Sequence, residues 1–373
     1  MHHSEKLIRH SLKDKGGWWP DEDHILLLKA GLLEPSKALN AWQQWLKKQD
    51  LTPDLLEDGE ILPKIFDPID EASRQLLPLV HRNLENLNEP FSKRLKGYYR
   101  FKWVRNQQHI ARADQLCAVL EKSGIPTMLI NGLALSLWYY KDTGVRTVNA
   151  ISILVPFEHR FKAIELLSTS AFQYQLQHQN VQSARLICND KLTCDIQWYL
   201  FQEHAYADAD MIFWEKSIMC IVGESTPSRR LSSTYQLFHS LMQGNRWNSP
   251  APIGWVSDCV WIARQHSVDW DIIFTLAEQF QYVNFIKIAL PFLKQEFSLD
   301  ISEEYLLKLE KLIATPNDDY YFKVTTKGPD YGRILTYFWR NYALYSCFVK
   351  HQSSTPASFL TWMGRKITQR FKL

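Results

Sequence analysis

The chain has 373 residues, of which 46% are hydrophobic and 22% charged. This length and composition predict about two folded domains, or one large one, and exclude extended disorder over most of the chain. The formal net charge of +3 is too small to indicate a nucleic-acid-binding protein, which usually carries a concentrated basic face.

The six cysteines contain no CxxC pair, so the sequence predicts isolated reduced thiols in a core rather than a zinc site. The first residues carry charge where a signal peptide needs an apolar stretch, and no apolar run approaches the roughly 18 residues of a membrane span. We therefore expect a cytoplasmic protein without a transmembrane segment.

Helical periodicity dominates the first third of the chain. Apolar residues recur at helical spacing from Asp21 to Lys48, and Pro35-Ser36 separates two helices there. Further helices are predicted around residues 71–88 and from 89 to 123. The longest has an apolar stripe that we expect to be buried: Phe101, Val104, Ile110, Leu116, Val119 and Leu120. Residues 1–123 are thus predicted to form a helical N-terminal region.

The pattern changes at Gly124-Ile125-Pro126, which ends a helix and begins an α/β region. Short apolar runs predict strands at Thr127–Ile130 and Val148–Val155, and two more at Val181–Ile187 and Leu192–Trp198 in a hairpin. Helices are predicted at Leu133–Tyr140 and Glu158–Thr169. Residues 124–231 should therefore form an α/β core with a small mixed sheet.

Helical periodicity returns after Ser232, and residues 232–373 are predicted to form a helical bundle with a basic tail. Four cations and no acid lie among the apolar residues of Phe359–Leu373, a composition suited to an acidic partner or a membrane surface. The alternative is that the tail packs on the bundle. The predicted fold class is α+β, a central mixed sheet flanked by helices from both ends of the chain.

Several ordered blocks give the sequence a family resemblance. The blocks are Leu76–Leu84, Trp103 with Asn106, Gly124-Ile125-Pro126, Gly132, Gly144, Arg146, Asn149–Val155, Cys194–Trp198 and Asp269-Trp270. Together they resemble the bacterial uncharacterised nucleotidyltransferase-like family over roughly Leu26 to Leu290. The resemblance implies a polymerase-beta-like nucleotidyltransferase core between helices, in an accessory protein of a biosynthetic or modification system.

Active members of that superfamily resemble one another in using an Asp-x-Asp strand for Mg²⁺, because carboxylates two residues apart project from one face of a strand. In this sequence Ala150 and Ser152 match those two positions, and neither supplies an anionic oxygen. Asn131 stands where the family resemblance implies a lysine. Gly132 and Arg146 are retained, as is Asp195, which matches the third carboxylate.

These positions form the predicted site. Asn131, Gly132, Arg146 and Ser152 are the candidate nucleotide-binding residues, and Asp195 is the catalytic candidate if the protein is active. No metal ligand set is predicted, and Mg²⁺ and a nucleoside triphosphate are implied only for an active enzyme.

Structural alternatives exist for the three retained residues. Gly132 could be only the turn residue between strand and helix, and Arg146 could pair locally with Asp142 or Glu158. Asp195 could be a solvated or paired carboxylate. His204, His239 and His266 lack ligand spacing and are interpreted as packed or surface residues.

Three functions follow. The first is a catalytically inactive relative that binds a nucleotide-like or peptide ligand, or a protein partner, because the acid pair is missing. The second is an active transferase that moves a nucleoside monophosphate onto a protein, sugar or small molecule. The third is a purely structural interaction protein, which predicts a cleft filled by side chains.

Overall fold

The computed structural model describes residues 16–53, 69–87, 89–169, 173–180, 182–201, 204–205 and 208–327. The predicted basic tail lies outside the described residues. The described chain divides into two compact units. One is a helical unit of residues within 16–108, 134–148 and 233–327, and the other is a sheet unit of residues within 109–133 and 149–232.

Thirteen α-helices lie within the described residues. They are α1 Glu22–Leu32, α2 Pro35–Lys48, α3 Glu71–Leu84, α4 Ser92–Lys122, α5 Asn131–Trp138, α6 Arg160–Thr169, α7 Met211–Glu215, α8 Ser233–Gly244, α9 Gly254–Gln265, α10 Trp270–Gln279, α11 Val283–Phe297, α12 Glu303–Lys311 and α13 Pro316–Thr326. The predicted helical pair at the N-terminus is confirmed, because α1 ends at Leu32 and α2 begins at Pro35, the residue type favoured at a first helical position.

Local sequence fixes several helix starts in the helical unit. The side chains of Asp21, Asp70 and Asp269 each accept a backbone N–H of the first turn of the helix that follows. Inside the unit, Trp42 and Trp45 stack with ring centroids 5.1 Å apart. The Arg264 guanidinium of α9 donates to the carbonyls of Leu32 and Phe297, so helices from both chain ends share one core.

The predicted three-part division into residues 1–123, 124–231 and 232–373 stays a prediction. The compact units group the helices of the two chain ends together, whereas the three-part division separates them along the sequence.

The sheet unit has seven described strands: β1 Met128–Leu129, β2 Ile151–Leu154, β3 Gln175–Gln179, β4 Ser183–Ile187, β5 Thr193–Gln197, β6 Ile218–Val222 and β7 Thr226–Arg230. Their order is β3-β4-β5-β2-β1-β7-β6. The pairs β2–β5 and β1–β7 are parallel, and the other neighbours are antiparallel. The predicted α+β class with a mixed sheet is therefore confirmed.

Four of the seven strands match the predicted ones, in shorter form. The other three, β3 and the β6–β7 hairpin, were not predicted. β3 is an edge strand with mostly exposed polar residues, so it lacks the apolar alternation of a half-buried strand. β6 is the opposite edge, and its residues Ile218, Met219 and Ile221 are exposed rather than buried.

The predicted buried stripe of α4 is wrong in its first half. Phe101 is 57% exposed and Val104 is 49% exposed, whereas Leu116 and Leu120 are fully buried. The face of the first half that is buried carries Asn106 and His109 instead. Hydropathy misses this face because hydrogen bonds, rather than apolar contacts, compensate the burial of its polar groups.

Candidate functional site

Ser152 lies at the centre of the candidate site, between the end of β1 and the middle of β5. The Ile130 N–H donates to the Ser152 carbonyl at 3.1 Å, and Ser152 is directly opposite Asp195 in the parallel β2–β5 pair. Ser152 is 4% exposed. The structure thus brings four predicted residues, Asn131, Gly132, Ser152 and Asp195, to one part of the sheet unit.

The turn between β1 and α5 is made by Asn131. Its φ of 59° lies in the left-handed region, which asparagine tolerates better than most residues. The structural alternative named Gly132 as the turn residue, but the residue that makes the turn is Asn131. Gly132 lies in the first turn of α5, where backbone N–H groups lack intrahelical acceptors and favour an anion.

Asp195 is held by Arg185, which lies opposite it in the antiparallel β4–β5 pair. The guanidinium donates Nε to Oδ1 and Nη2 to Oδ2, both at 2.7 Å. These hydrogen bonds to Asp195 raise the pKa of Arg185. The alternative of a paired carboxylate is confirmed.

This arrangement does not fit a magnesium ion. Both oxygens of Asp195 already accept from a guanidinium, and the neighbouring Ser152 is neutral, whereas Mg²⁺ prefers anionic oxygen. Sequence reasoning missed Arg185. The signal was available in the hairpin, because pairing Val181–Ile187 with Leu192–Trp198 places residue 185 near residue 195.

Arg146 belongs to the helical unit and forms an ion pair with Asp258 of α9. Nε lies 2.8 Å from Oδ1 and Nη2 lies 3.0 Å from Oδ2, with the side chains 20% and 5% exposed. The Tyr140 hydroxyl donates to the same Oδ1 at 2.8 Å. Burial acts to lower the pKa of Arg146, but the Asp258 charge, the neighbouring Tyr140 and the hydrogen bonds to Asp258 together outweigh it and raise that pKa.

The proposed local partners of Arg146 are wrong. Asp142 instead accepts from the Tyr99 hydroxyl at 2.7 Å and from the Gly144 N–H at 2.9 Å. The role of Arg146 in nucleotide binding stays a prediction. Asp258 was missed, although an acid inside the apolar run Trp255–Ile262 is itself a signal of a buried partner.

Asn106, which belongs to one of the blocks that resemble the family, has a role that the structure shows directly. Its Nδ2 donates to the carbonyls of Thr143 and Arg146 at 2.5 and 2.8 Å, and its Oδ1 accepts the Val148 N–H at 3.2 Å. The side chain is fully buried. Asn106 therefore fixes the loop that carries Arg146, which is a structural role.

The titratable residues form no cluster of metal ligands within the described ranges. His239 is buried, and burial lowers its pKa to about 4, which keeps it neutral. The described cysteines are unpaired, and four of them, Cys117, Cys188, Cys194 and Cys259, are buried, as predicted.

β1, a turn, α5 and β2 follow one another along the chain, and β5, the parallel neighbour of β2, carries the carboxylate of Asp195. This is a nucleotidyltransferase-like core accompanied by helices. The chain belongs to the uncharacterised nucleotidyltransferase family, whose model matches residues 72–297. No curated protein matches the chain. Among the described helices, none has the length and apolar character needed to cross a membrane.

Proposed function

We propose that the chain is a catalytically inactive member of its family. In this proposal it acts as an accessory protein whose motif residues, Asn131, Gly132, Ser152 and Asp195, bind a nucleotide-like or peptide ligand without transferring a nucleotide. Ala150 and Ser152 stand at the positions of the acid pair, and one observation carries the proposal further. The Arg185 guanidinium occupies both oxygens of Asp195, the remaining carboxylate of the motif.

The energetics of this pair support inactivity. A divalent ion at Asp195 would have to displace two charge-assisted hydrogen bonds, and Ser152 would offer it only a neutral hydroxyl in return. Phosphoryl transfer depends on metal ions that bridge the phosphates and neutralise developing charge. The arrangement of Ser152, Asp195 and Arg185 therefore favours ligand binding over turnover.

The start of α5 is suited to an anionic group of a ligand. The first turn of α5 presents backbone N–H groups beside Ser152, and the left-handed Asn131 sets the direction of that helix. An anionic group could bind there without a metal ion. This is the feature that distinguishes the proposal from a purely structural interaction protein.

The direct test is calorimetry of the full chain with ATP, CTP, GTP and UTP, each with and without Mg²⁺. We expect any binding to be independent of Mg²⁺, with no product detected by chromatography. Magnesium-dependent turnover of any of the four would overturn the inactive assignment.

A sharper test restores the acid pair with Ala150→Asp and Ser152→Asp, alone and together with Arg185→Met. We expect Mn²⁺ affinity, measured by electron paramagnetic resonance, to rise by about tenfold or more in the triple variant. The matched control is Ala150→Asn with Ser152→Asn, which has nearly the same side-chain volumes without the charges. Equal Mn²⁺ binding by the acidic and amide variants would show that the motif residues were never a metal site.

The alternative is an active transferase that uses Asp195, and the position of Asp195 opposite Ser152 favours it. Transfer of label from alpha-labelled nucleotides would then depend on Asp195, and Asp195→Ala would abolish it. Label transfer that persists in Asp195→Ala would remove Asp195 from any catalytic role.

A further inference from the structure

A cleft of about 660 Å³ lies in the sheet unit, at the edge where β2 and β5 end and β1 begins. The motif residues lie toward the other end of these strands, because Asn131 follows β1 and Ser152 is near the start of β2. The volume is within the range typical of small-molecule sites. We propose that this cleft binds an organic cation, an ammonium group attached to an apolar body.

The walls are aromatic. Phe157, Trp198, Tyr199 and Trp214 line the cleft, and the rings of Phe157 and Tyr199 lie with centroids 5.3 Å apart. Arg160 already places its guanidinium carbon 3.7 Å from the Phe157 centroid. The aromatic surface at this cleft thus attracts a cation of the chain itself, and a ligand cation would experience the same attraction at an open ring face.

The charges of the lining have the complementary sign. Four carboxylates line the cleft, those of Glu158, Asp208, Asp210 and Glu215, against the single guanidinium of Arg229. Arg229 itself donates to the Ser217 hydroxyl at 3.0 Å. An anionic phosphate would be repelled by this surface, so the cleft is unsuited to a nucleotide and suited to an ammonium group.

Asp210 gives the cleft a specific anchor. Its side chain accepts the Leu200 N–H at 2.8 Å, and the residue is only 7% exposed. Burial raises the pKa of Asp210 to about 7, despite the hydrogen bond from Leu200. A bound ammonium would supply the counter-charge and shift Asp210 toward the ionised form, so binding should release a proton near neutral pH.

Other titratable and charged groups face the same space. Glu158 comes from the 3₁₀ turn after β2, Tyr199 from the end of β5, Asp208 and Glu215 from either side of Asp210, and Arg229 from β7. Burial places the pKa of Asp210 near neutrality. Affinity for a cation should therefore increase with pH through the titration of Asp210.

The test is isothermal titration calorimetry of the full chain with 2-phenylethylammonium chloride and with 2-phenylethanol, its neutral analogue. Near pH 8 we expect the cation to bind about tenfold or more tightly than the alcohol, and near pH 6 we expect that ratio to shrink. Equal affinities, or no heat from the cation at about 10 mM, would overturn the proposal.

Two variants locate the binding. Asp210→Asn keeps an acceptor for the Leu200 N–H and should reduce cation affinity by about tenfold without changing that of the alcohol. Trp214→Leu should weaken both probes. The control is Glu165→Gln on α6, which removes one exposed acid of the same unit outside the cleft lining. If Asp210→Asn binds the cation as the control does, or if Trp214→Leu leaves both affinities unchanged, the site is not where we propose.

Discussion

Two arginine–aspartate pairs occupy the two compact units, and their chemistry is the same while their surroundings differ. Arg146 and Asp258 of the helical unit are separated by 112 positions in sequence, and their side chains are 20% and 5% exposed. Arg185 and Asp195 of the sheet unit are only 10 positions apart, and their side chains are 53% and 14% exposed. Both pairs are bidentate.

The difference teaches that geometry alone does not set the energetic role of an ion pair. When the aspartate of a pair is lost, a buried arginine keeps an uncompensated charge away from water, whereas an exposed arginine is hydrated at little cost. The Arg146–Asp258 pair should therefore govern stability. The Arg185–Asp195 pair should instead govern what the motif residues can bind.

The largest effect is expected from breaking the buried Arg146–Asp258 pair. Asp258→Asn should reduce the free energy of unfolding by about 3–5 kcal/mol, because Arg146 keeps its charge without a counter-charge. Urea unfolding followed by circular dichroism measures the loss. The control is Asp271→Asn, an acid on α10 whose side chain is 58% exposed, which should change stability by less than about 1 kcal/mol. A loss of similar size in both variants would refute the comparison.

Removing the charge of a buried acid that has no ion-pair partner among the described residues should raise the free energy of unfolding instead of lowering it. The pKa of Asp210 rises from 3.8 to about 7, so the folded state binds an extra proton between these values and loses stability as pH rises through that window. Asp210→Asn should therefore stabilise the protein near pH 8 by up to about 2–4 kcal/mol, with no gain below about pH 4. Thermal unfolding across this range measures the gain, and a pH-independent difference would contradict the prediction.

His24 extends the comparison to a buried cation that has two acidic neighbours. Burial acts to lower the pKa of His24, but hydrogen bonds to Asp21 and Asp70 outweigh it and raise the pKa from 6.5 to about 9. This contribution to stability is fully present below pH 6.5 and is lost as pH rises through about 9. His24→Gln should flatten that decline by up to about 2–3 kcal/mol in denaturant unfolding. His178→Gln, at an exposed strand position, should retain the wild-type pH profile.

The smallest expected effect concerns the pair in the sheet unit. Asp195→Asn should change the free energy of unfolding by less than about 1 kcal/mol in urea titrations, because the arginine that it leaves is 53% exposed. Arg185→Met should raise Mn²⁺ affinity only when Ala150 and Ser152 have been replaced by aspartate. A large loss of stability in Asp195→Asn would mean that this pair supports the sheet in the way that the Arg146–Asp258 pair supports the helices.

Local sequence determined much of the fold. Helix starts at Asp21, Asp70 and Asp269 follow from capping chemistry, and the hairpin of β4 and β5 follows from two apolar runs around a short turn. The sequence also showed that Ala150 and Ser152 carry no charge where the resemblance implies two acids. These features depend on residues that are close together along the chain.

The tertiary structure decided which charged residues form ion pairs and which strands are neighbours. Asp258 becomes the counter-ion of Arg146 only when α9 packs against the loop that Asn106 fixes, and the edge strands β3 and β6 owe their pairing to neighbours rather than to an apolar pattern of their own. The cleft around Asp210 is likewise assembled from strand ends and a short helix that are distant in sequence. Periodicity and capping report local free energies, whereas ion pairs, burial and cavities depend on which distant segments meet.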